Sequence, residues 1–312
     1  MKEYDVVIVG AGAAGLTAAI YTCRKKLSTL IISVDMGGQT ILSSLIENYP
    51  GVEPMPGFQL MQKFEKQAKH FGAEIISGKV VETKKLKGKF SVILSNKEKY
   101  TGKTLILAFG KSPRTLGLPG EKQFIGRGIS TCAVCDAPLY SNKTVAVIGG
   151  GNSALDATLS LGKIAKKIYL IHRRDDFSGD EILVDKVKKL KNVEIIYSAE
   201  AKKFEGDTFL KSMIIESLKD KKQRKLDVDG VFLEIGYEVK TDFLKGVIKL
   251  DKQNEIIVDE RCRTSEPGIF AAGDVTISPF KQTVVSAGEG AKAALEAHRY
   301  LQGGKSIVSI DW

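Results

Sequence analysis

The sequence predicts an α/β protein of two domains, one of them inserted in the other. Its 312 residues suffice for about two domains of roughly 150 residues each. Two glycine-rich turns, each between a β-branched strand and an alanine-rich helix, begin at residues 10 and 149, 139 residues apart. One strand-helix-strand unit spans about 30 residues, so each turn is expected in its own domain.

The composition is that of an ordinary globular protein except in glycine. Hydrophobic residues make up 43% and charged residues 27% of the chain, which argues against a disordered chain and a membrane protein. The 31 glycines exceed the average of about 7% without collagen periodicity, so we expect them at particular backbone positions. The net charge of +10 lies in lysine runs that apolar residues interrupt, and we therefore expect no nucleic-acid partner.

The first glycine turn follows a predicted strand at Tyr4–Val9 and opens a helix. It has the pattern G-x-G-x-x-G, formed by Gly10, Gly12 and Gly15. The first glycine permits the tight turn, the second lets the backbone approach a pyrophosphate, and the third lets the helix pack on the strand. The strand and helix around the pattern predict a dinucleotide site, with the pyrophosphate at the helix N-terminus.

The second turn repeats this arrangement after a strand predicted at Lys143–Ile148. Gly149 and Gly151 hold the first two positions, and Ala154 holds the third, where only close packing of helix on strand is needed. The sequence therefore predicts a second dinucleotide site.

The residues that follow the next strand of each repeat discriminate between nucleotides. After the second turn, Arg173 and Arg174 stand where an NAD site usually has an acidic residue, and arginines there suit a 2′-phosphate. Solvated basic residues at a strand end are the alternative. After the first turn, Asp35 is a candidate for contact with the ribose, although Ser33 holds the more usual acidic position.

Cys132 and Cys135 form a C-x-x-C pair, whose sulfurs can close a small disulfide loop and exchange electrons. A zinc half-site is the main alternative, but Cys23 and Cys262 lack a partner at ligand spacing, and the three histidines are far apart in sequence. We therefore predict a redox pair and no metal.

Asp136, directly after the pair, is interpreted in two ways. It could cap a turn or helix, or it could shuttle the proton that thiol-disulfide interconversion requires. Pro138 would break a helix that had begun well before it, so we expect the cysteines on a turn or in a helix's first turn.

Glycine- and proline-rich joints at Phe109–Gly120 and Gly236–Phe243 predict where one domain interrupts the other. A late strand within Gly268–Val275 and a helix at Val284–Leu301 are expected to complete the first domain. The predicted boundaries are 1–112 with 245–312 for the first domain and 113–244 for the second.

The apolar stretch Val6–Tyr21 is expected to be strand, turn and helix rather than a targeting segment. Glu3 and Asp5 precede it where a signal peptide carries positive charge, and it is shorter than the ~20 residues of a membrane span. With four cysteines, the sequence predicts the reducing cytoplasm as its compartment and no membrane partner.

The complete set of motifs resembles the low-molecular-weight thioredoxin reductases of the pyridine nucleotide-disulfide oxidoreductase superfamily. The segments that carry the resemblance are Gly10–Gly15, Gly37–Gln39, Glu47–Gly51, Cys132–Asp136, Gly149–Ala154, His172–Arg174, Ala271–Asp274 and Lys281–Gln282. The resemblance implies two Rossmann-like three-layer (ββα/αβ) nucleotide-binding domains, a homodimer, FAD in the first site and NADPH in the second.

The resemblance also assigns individual residues. The positions implied for FAD are Gly10, Gly12, Ala13, Ala14, Gly15, Asp35, Gly37, Gly38, Gln39, Asn48, Gly110, Gly273, Asp274, Lys281, Gln282 and Thr283. Those implied for NADPH are Gly149, Gly151, Asn152, Ser153, Ala154, His172, Arg173, Arg174 and Gly236. Cys135 is implied to face the flavin, Cys132 to attack the partner disulfide, and Asp136 to be the acid/base residue.

The sequence departs from the family pattern at five positions. Ser178 stands where a third arginine is usual, Phe109 where threonine is usual, and Lys281 where arginine is usual. Ala137 replaces a glycine and Val239 a proline. No reactive residue is lost.

The implied function is transfer of electrons from NADPH through FAD and the Cys132/Cys135 disulfide to thioredoxin or a glutaredoxin-like protein, with rotation of the inserted domain at the two joints. A flavin NAD(P)H oxidase or ferredoxin-NADP reductase relative would not need the cysteines. A small-dithiol oxidase would pass electrons to oxygen, and a non-catalytic flavin-binding scaffold would not need the second site.

Overall fold

The computed structural model describes residues 2–43 and 45–304, apart from the side chains of Val134 and Cys135. The strands are β1 (Glu3–Val9), β2 (Thr29–Ser33), β3 (Glu74–Ser77), β4 (Val80–Leu86), β5 (Lys89–Leu94), β6 (Lys99–Leu107), β7 (Ser112–Pro113), β8 (Ile129–Ser130), β9 (Thr144–Ile148), β10 (Lys167–Ile171), β11 (Val193–Ile196), β12 (Ala199–Gly206), β13 (Leu210–Ser217), β14 (Gln223–Asp227), β15 (Gly230–Leu233), β16 (Tyr237–Glu238) and β17 (Ile269–Ala271). The α-helices are α1 (Ala13–Arg24), α2 (Gly57–His70), α3 (Glu121–Phe124), α4 (Ala133–Asp136), α5 (Asn152–Gly162), α6 (Glu181–Lys188) and α7 (Thr283–Leu301).

The chain divides into two compact units, residues 1–112 with 238–312 and residues 113–237. The second crossing therefore falls between Tyr237 and Glu238, whereas the sequence predicts it between residues 244 and 245. The difference has a physical cause, because Val239 and Leu244 are already buried in an apolar core of the first unit. The paired strands β7 and β16 lie where the chain passes from one unit to the other.

The first unit is built on a seven-stranded sheet. The strand order is β3-β2-β1-β6-β5-β4, and β17 also pairs with β6. β3, β2, β1, β6 and β17 are parallel, whereas β5 and β4 are antiparallel. The long strand β6 serves both parts, because Lys99–Gly102 pairs with β5 and Leu105–Leu107 pairs with β17.

Successive residues of β1 face two different apolar cores, as expected of a buried parallel strand. Val6 and Ile8 belong to the core that includes residues of α1, α2 and α7. Val7 and Val9 belong to a second core, which includes Phe90 of β5. The first unit therefore has three layers: helices, a parallel sheet and the antiparallel strands.

The second unit repeats this plan with separate sheets. Five parallel strands lie in the order β11-β10-β9-β15-β8, and β12, β13 and β14 form an antiparallel sheet. Val147 of β9 packs with Leu155 of α5, whereas the next residue, Ile148, shares a core with Phe204 and Met213 of the antiparallel sheet. Both units thus have the Rossmann-like three-layer fold. Among the described residues no helix has the length and apolar character needed to cross a bilayer.

Helix α7 lies against α1 at a position where only glycine fits. A Cβ atom at Gly290 would come within 2.1 Å of the carbonyl oxygen of Ala14. Gly288, two residues earlier on α7, is exposed, and a Cβ atom there would meet nothing within 4 Å. The backbones of the two helices therefore approach each other closely at Gly290.

The two helical glycines give a matched pair of substitutions. We expect Gly290→Ala to lower the free energy of unfolding of the first unit by about 1–3 kcal/mol, because the methyl group overpacks the α1–α7 contact. Gly288→Ala is expected to raise it by up to ~1 kcal/mol, because alanine is the better helix former. Denaturant unfolding measured by circular dichroism tests both, and equal effects of the two substitutions would contradict the close contact.

Candidate nucleotide and disulfide sites

The first glycine turn joins β1 to α1 in a conformation that explains its glycines. Gly10 has a φ of +109°, and a Cβ atom there would lie 2.3 Å from the carbonyl oxygen of Ala108. At Gly15 a Cβ atom would lie 1.9 Å from the carbonyl oxygen of Gly10. At Gly12 the nearest atom, the carbonyl oxygen of Gly37, is 4.0 Å away. Space therefore remains beside the turn where a pyrophosphate could approach.

The N-terminus of α1 suits an anion. Gly12 is its N-cap, and among the described residues no side chain makes a capping hydrogen bond to its first turn. The first backbone N–H groups of a helix have no partner within the helix, and Ala13 and Ala14 begin this one. These groups and the open space at Gly12 fit the diphosphate of FAD.

The Gly-Gly-Gln loop is attached to this turn. Gly37, with a φ of +95°, donates its N–H to the carbonyl oxygen of Ala11 at 2.8 Å, and a Cβ atom at Gly38 would lie 3.5 Å from Cα of Gly12. Gln39 follows in the short 3-10 helix Gly38–Leu42.

Asp35, the candidate for ribose contact, and Ser33, at the more usual position, have different surroundings in the structure. Ser33, the last residue of β2, accepts the N–H of Ala11 at 3.1 Å through Oγ. Ser33 thus fixes the glycine turn. Asp35 is exposed beyond the end of β2, and its contact with a ribose stays a prediction.

The end of β17 leads to a second loop that packs on α1. A Cβ atom at Gly273, which has a φ of +80°, would lie 3.0 Å from Cβ of Ala14. The N–H of Gly273 donates to Oε2 of Glu289 at 2.7 Å, and Oγ of Ser286 donates to Oδ1 of Asp274 at 3.2 Å. Two residues of α7 therefore hold the loop that carries Asp274.

The start of α7 gathers more of the predicted FAD residues. Asn48 donates from Nδ2 to Oε1 of Gln282 at 3.2 Å, and the hydroxyl groups of Thr40 and Thr283 are 3.3 Å apart. Gln282 is the N-cap of α7, and its side chain makes no capping hydrogen bond to the helix. The structure thus places Asn48, Gln282 and Thr283 together, although residues 48 and 282 are far apart in the sequence.

Lys281, which replaces the family's arginine, belongs to a cluster of charges. Its Nζ donates to the carbonyl oxygens of Asp274, at 3.3 Å, and of Thr276, and lies 3.6 Å from Glu255. Glu255 also accepts from Lys111 at 2.5 Å. Burial, followed by the charge of Lys111, lowers the pKa of Lys281. Gly110, which precedes Lys111, has a φ of +64°.

Sequence reasoning missed four residues of this site, namely Thr40, Glu255, Ser286 and Glu289. Thr40 and Glu255 contact partners that are distant in the sequence. Ser286 and Glu289 lie on α7 and bind the loop of Gly273 and Asp274. The available signal was a polar residue within an alanine- and glycine-rich helix, at Ser286 and Glu289, and it was too weak to assign a partner.

The second glycine turn has the same geometry in the second unit. Gly149 has a φ of +155°, and a Cβ atom there would lie 2.2 Å from the carbonyl oxygen of Glu234. Ala154 is fully buried on α5, as expected of the third position. Gly151 is the N-cap of α5, and no side chain within the described ranges caps this helix. Backbone N–H groups at Asn152 and Ser153 can therefore face an anion.

The neighbours of this turn include close contacts at Gly150 and at Ser178. At Gly150, which no motif assigned, a Cβ atom would lie 2.1 Å from Nδ1 of His172. Ser178 donates both its N–H, at 2.8 Å, and its Oγ–H, at 3.2 Å, to the carbonyl oxygen of Gly150. The side chain of Asn152 binds Asp180 through two hydrogen bonds of 2.7 and 3.1 Å, so it holds the start of α6.

His172, Arg173 and Arg174 directly follow β10. His172 is buried, burial lowers its pKa, and its Nε2 atom has no hydrogen-bond partner among the described residues. Arg173 and Arg174 are exposed, and neither forms an ion pair with a described residue. A buried ring nitrogen without a partner and two unpaired guanidinium groups fit a nucleotide with a 2′-phosphate. Gly236, with a φ of +88°, accepts the N–H of Arg114.

The cysteine segment leaves β8 and enters the short helix α4. Cys132 is disulfide-bonded, whereas Cys23 and Cys262 are free thiols. The N–H of Cys132 donates to Oγ of Ser130 at 3.0 Å, and that hydroxyl donates to the carbonyl oxygen of Cys132 at 3.2 Å. The side chain of Cys135 lies outside the described residues. No cluster of three or more metal-ligating side chains occurs in the ranges described.

Asp136 closes the turn that begins at Cys132. Its N–H donates to the carbonyl oxygen of Cys132 at 3.1 Å, and its side chain makes no capping hydrogen bond to the 3-10 helix Ala137–Tyr140 that follows. The carboxylate of Asp136 contributes to a raised pKa of Tyr140, for which burial is the main cause. The capping alternative for Asp136 therefore has no support at this 3-10 helix, and its acid/base role stays a prediction.

Comparison with known proteins agrees with this architecture. Residues 4–291 match the family described as pyridine nucleotide-disulphide oxidoreductase. The chain is 40% identical over 301 residues to a thioredoxin reductase of Treponema pallidum, covering 96% of this chain and 97% of the relative.

Two solved structures are similar throughout. The thioredoxin reductase of Lactococcus lactis, in the FR conformation, superposes with a TM-score of 0.82 at 33% identity, covering 96% of this chain and 99% of that one. The thioredoxin reductase of T. acidophilum superposes with a TM-score of 0.79 at 34% identity, covering 97% and 99%. The chain has two glycine turns in two three-layer units, and the cysteine pair lies between the two turns in the sequence. It therefore belongs to the pyridine nucleotide-disulphide oxidoreductase family and, within it, to the low-molecular-weight thioredoxin reductases.

Proposed function

We propose that this flavoprotein oxidoreductase is a thioredoxin reductase that uses NADPH to reduce the disulfide of thioredoxin or of a glutaredoxin-like protein. The observation that carries the proposal is the disulfide-bonded Cys132, two residues after β8, because β8 lies in the same parallel sheet as β9, the strand that leads into the second glycine turn. A flavin oxidase would need only the two nucleotide sites.

Residues 1–112 and 238–312 are the proposed FAD domain, and residues 113–237 are the proposed NADPH domain. Bound FAD supplies two-electron transfer between a nicotinamide and a disulfide. The chain's part is to bind and orient: the N-termini of α1 and α7 offer N–H groups, and Ser286 orients Asp274. In the second unit α5 offers N–H groups, and Arg173 and Arg174 offer guanidinium groups to a 2′-phosphate.

The proposed disulfide chemistry runs through the cysteines. In the reduced pair, the Cys132 thiolate attacks one sulfur of the partner disulfide, forming a mixed disulfide and releasing the other partner sulfur as a thiolate. The Cys135 thiolate then attacks the Cys132 sulfur, which restores the Cys132–Cys135 disulfide and releases the second partner thiolate. Two electrons pass from the pair to the partner. Asp136 is the proposed acid/base group, supplying protons to the leaving thiolates.

The remaining parts of the proposal concern context. We infer a reducing compartment, the cytoplasm, because Cys23 and Cys262 are free thiols. A homodimer, with neither nucleic acid nor membrane as partner, completes the proposal.

Anaerobic titration with NADPH tests the role of the cysteine pair. We expect the flavin absorbance to bleach in the wild type and in Cys135→Ser, because hydride transfer does not need the pair. Reduction of thioredoxin or of a chromogenic disulfide is expected only in the wild type. Cys23→Ser serves as the control, since Cys23 is a free thiol, and it should retain full turnover. Equal disulfide reduction by Cys135→Ser would refute the assignment.

The preference for NADPH is expected to depend on the two exposed arginines. In the double variant with Arg173→Ala and Arg174→Ala, kcat/KM for NADPH should fall about 100-fold or more, because each of the two charge-assisted contacts is worth about 1.5–3 kcal/mol. The value for NADH should change less than about threefold. Arg224→Ala, which removes an arginine of the same unit that pairs with Glu194, is the control. An equal fall for both nucleotides would contradict a 2′-phosphate contact.

Rotation of the inserted unit is also part of the proposal. Gly110 and Gly236 lie beside the two crossings with positive φ, and a Cβ atom at either would meet nothing within 4 Å. Such positions suit hinges. A cross-link between the two units, verified by peptide mapping, is expected to suppress flavin reduction, thioredoxin reduction or both. A cross-linked enzyme with both rates intact would exclude rotation.

A further inference from the structure

Glu234 is a partly buried carboxyl group for which the chemistry above has no use. It directly follows β15, and its N–H donates to the carbonyl oxygen of Ile148, at the end of β9, at 2.9 Å. Its own carbonyl oxygen is the atom that a Cβ at Gly149 would meet. The backbone therefore holds Glu234 at the carboxyl edge of the parallel sheet, beside the second glycine turn.

The side chain of Glu234 reaches the cysteine segment. Its Oε1 atom accepts the N–H of Ala133 at an N···O distance of 3.4 Å. Ala133 is the first residue of α4, and its nitrogen is bonded to the carbonyl carbon of Cys132. The carboxyl group therefore lies against the peptide that leads from Cys132 into the helix. Among the described residues Glu234 has no other side-chain hydrogen bond or ion pair.

No described residue supplies a compensating positive charge to Glu234. Burial raises its pKa to about 7, and the Ala133 N–H opposes this only in part. The titratable group that faces it is the phenol of Tyr237, whose own pKa is raised by burial and then by Glu234. Asp136, the carboxyl group within the cysteine segment itself, contributes to the raised pKa of Tyr140. Glu234 therefore gains or loses its charge in the neutral range.

We propose that Glu234 is a positioning residue of the dithiol, which holds the Cys132–Ala133 peptide and opposes ionisation of the Cys132 thiol once the disulfide is reduced. This inference rests on the redox role proposed for Cys132 and Cys135. A carboxylate near a thiol disfavours the thiolate, and the thiolate is the attacking form. Cys132 thus retains its proton to a higher pH than it would beside a neutral side chain.

Glu234→Gln removes the charge and keeps an oxygen that can accept the Ala133 N–H. In the flavin-loaded enzyme, reduced with dithiothreitol and desalted anaerobically, Cys132 of this variant should react with iodoacetamide about threefold faster at neutral pH, as a pKa lowered by ~0.5 requires. Peptide mass spectrometry gives the rate at Cys132 between about pH 6 and about pH 9. The wild-type curve should show two inflections and the variant curve one.

Three further variants define the outcome. Glu205→Gln removes a carboxylate from β12, where it pairs with Lys203 and Lys225, and should leave the curve unchanged. Glu234→Asp keeps the charge and should retain two inflections. If Glu234→Ala alone alters the curve, the role of Glu234 is structural and the proposal is overturned, as it is if the Glu234→Gln and wild-type curves coincide. Failure of the redox role itself would appear differently, as alkylation of Cys132 before any reductant is added.

Discussion

Both units depend on one close contact. In each, the first glycine of the nucleotide turn packs against the backbone carbonyl oxygen of the residue that directly follows the neighbouring parallel strand. A Cβ atom at Gly10 would lie 2.3 Å from the oxygen of Ala108, after β6, and one at Gly149 would lie 2.2 Å from that of Glu234, after β15. Only glycine permits this approach with the positive φ that each turn adopts. The approach lets each helix start between two strand ends, and its first N–H groups, which have no partner within the helix, can then bind a diphosphate.

The strand that each of these glycines contacts is also the strand after which the chain passes from one unit to the other. The strand that Gly10 meets, β6, leads into the first crossing at Ser112, and the strand that Gly149 meets, β15, leads into the second at Tyr237. In the second unit this strand end carries Glu234, whose side chain reaches the segment with Cys132. The nucleotide turn and the disulfide segment thus share one support.

The two nucleotide sites differ in how their side chains are held. In the first unit Ser286 and Glu289 of α7 fix the loop of Gly273 and Asp274, and Asn48 bonds to Gln282. Such prior hydrogen bonding orients polar groups before a ligand arrives. In the second unit Arg173 and Arg174 are exposed and unpaired among the described residues. This difference suits a cofactor that stays bound in the first site and a substrate that comes and goes in the second.

The sequence by itself determined the local features: both strand-turn-helix units, the cysteine pair at the first turn of a short helix, the arginines after β10 and the late helix, which begins at Thr283. Each depends on neighbouring residues, through strand and helix periodicity and through the backbone freedom of glycine. The tertiary structure alone decided the position of the second crossing, because burial of Val239 and Leu244 depends on packing. It also decided the roles of Ser33, Glu289 and Glu234, since hydrogen bonds such as that between Glu234 and Ala133, 101 residues apart, leave no periodic signal in the sequence.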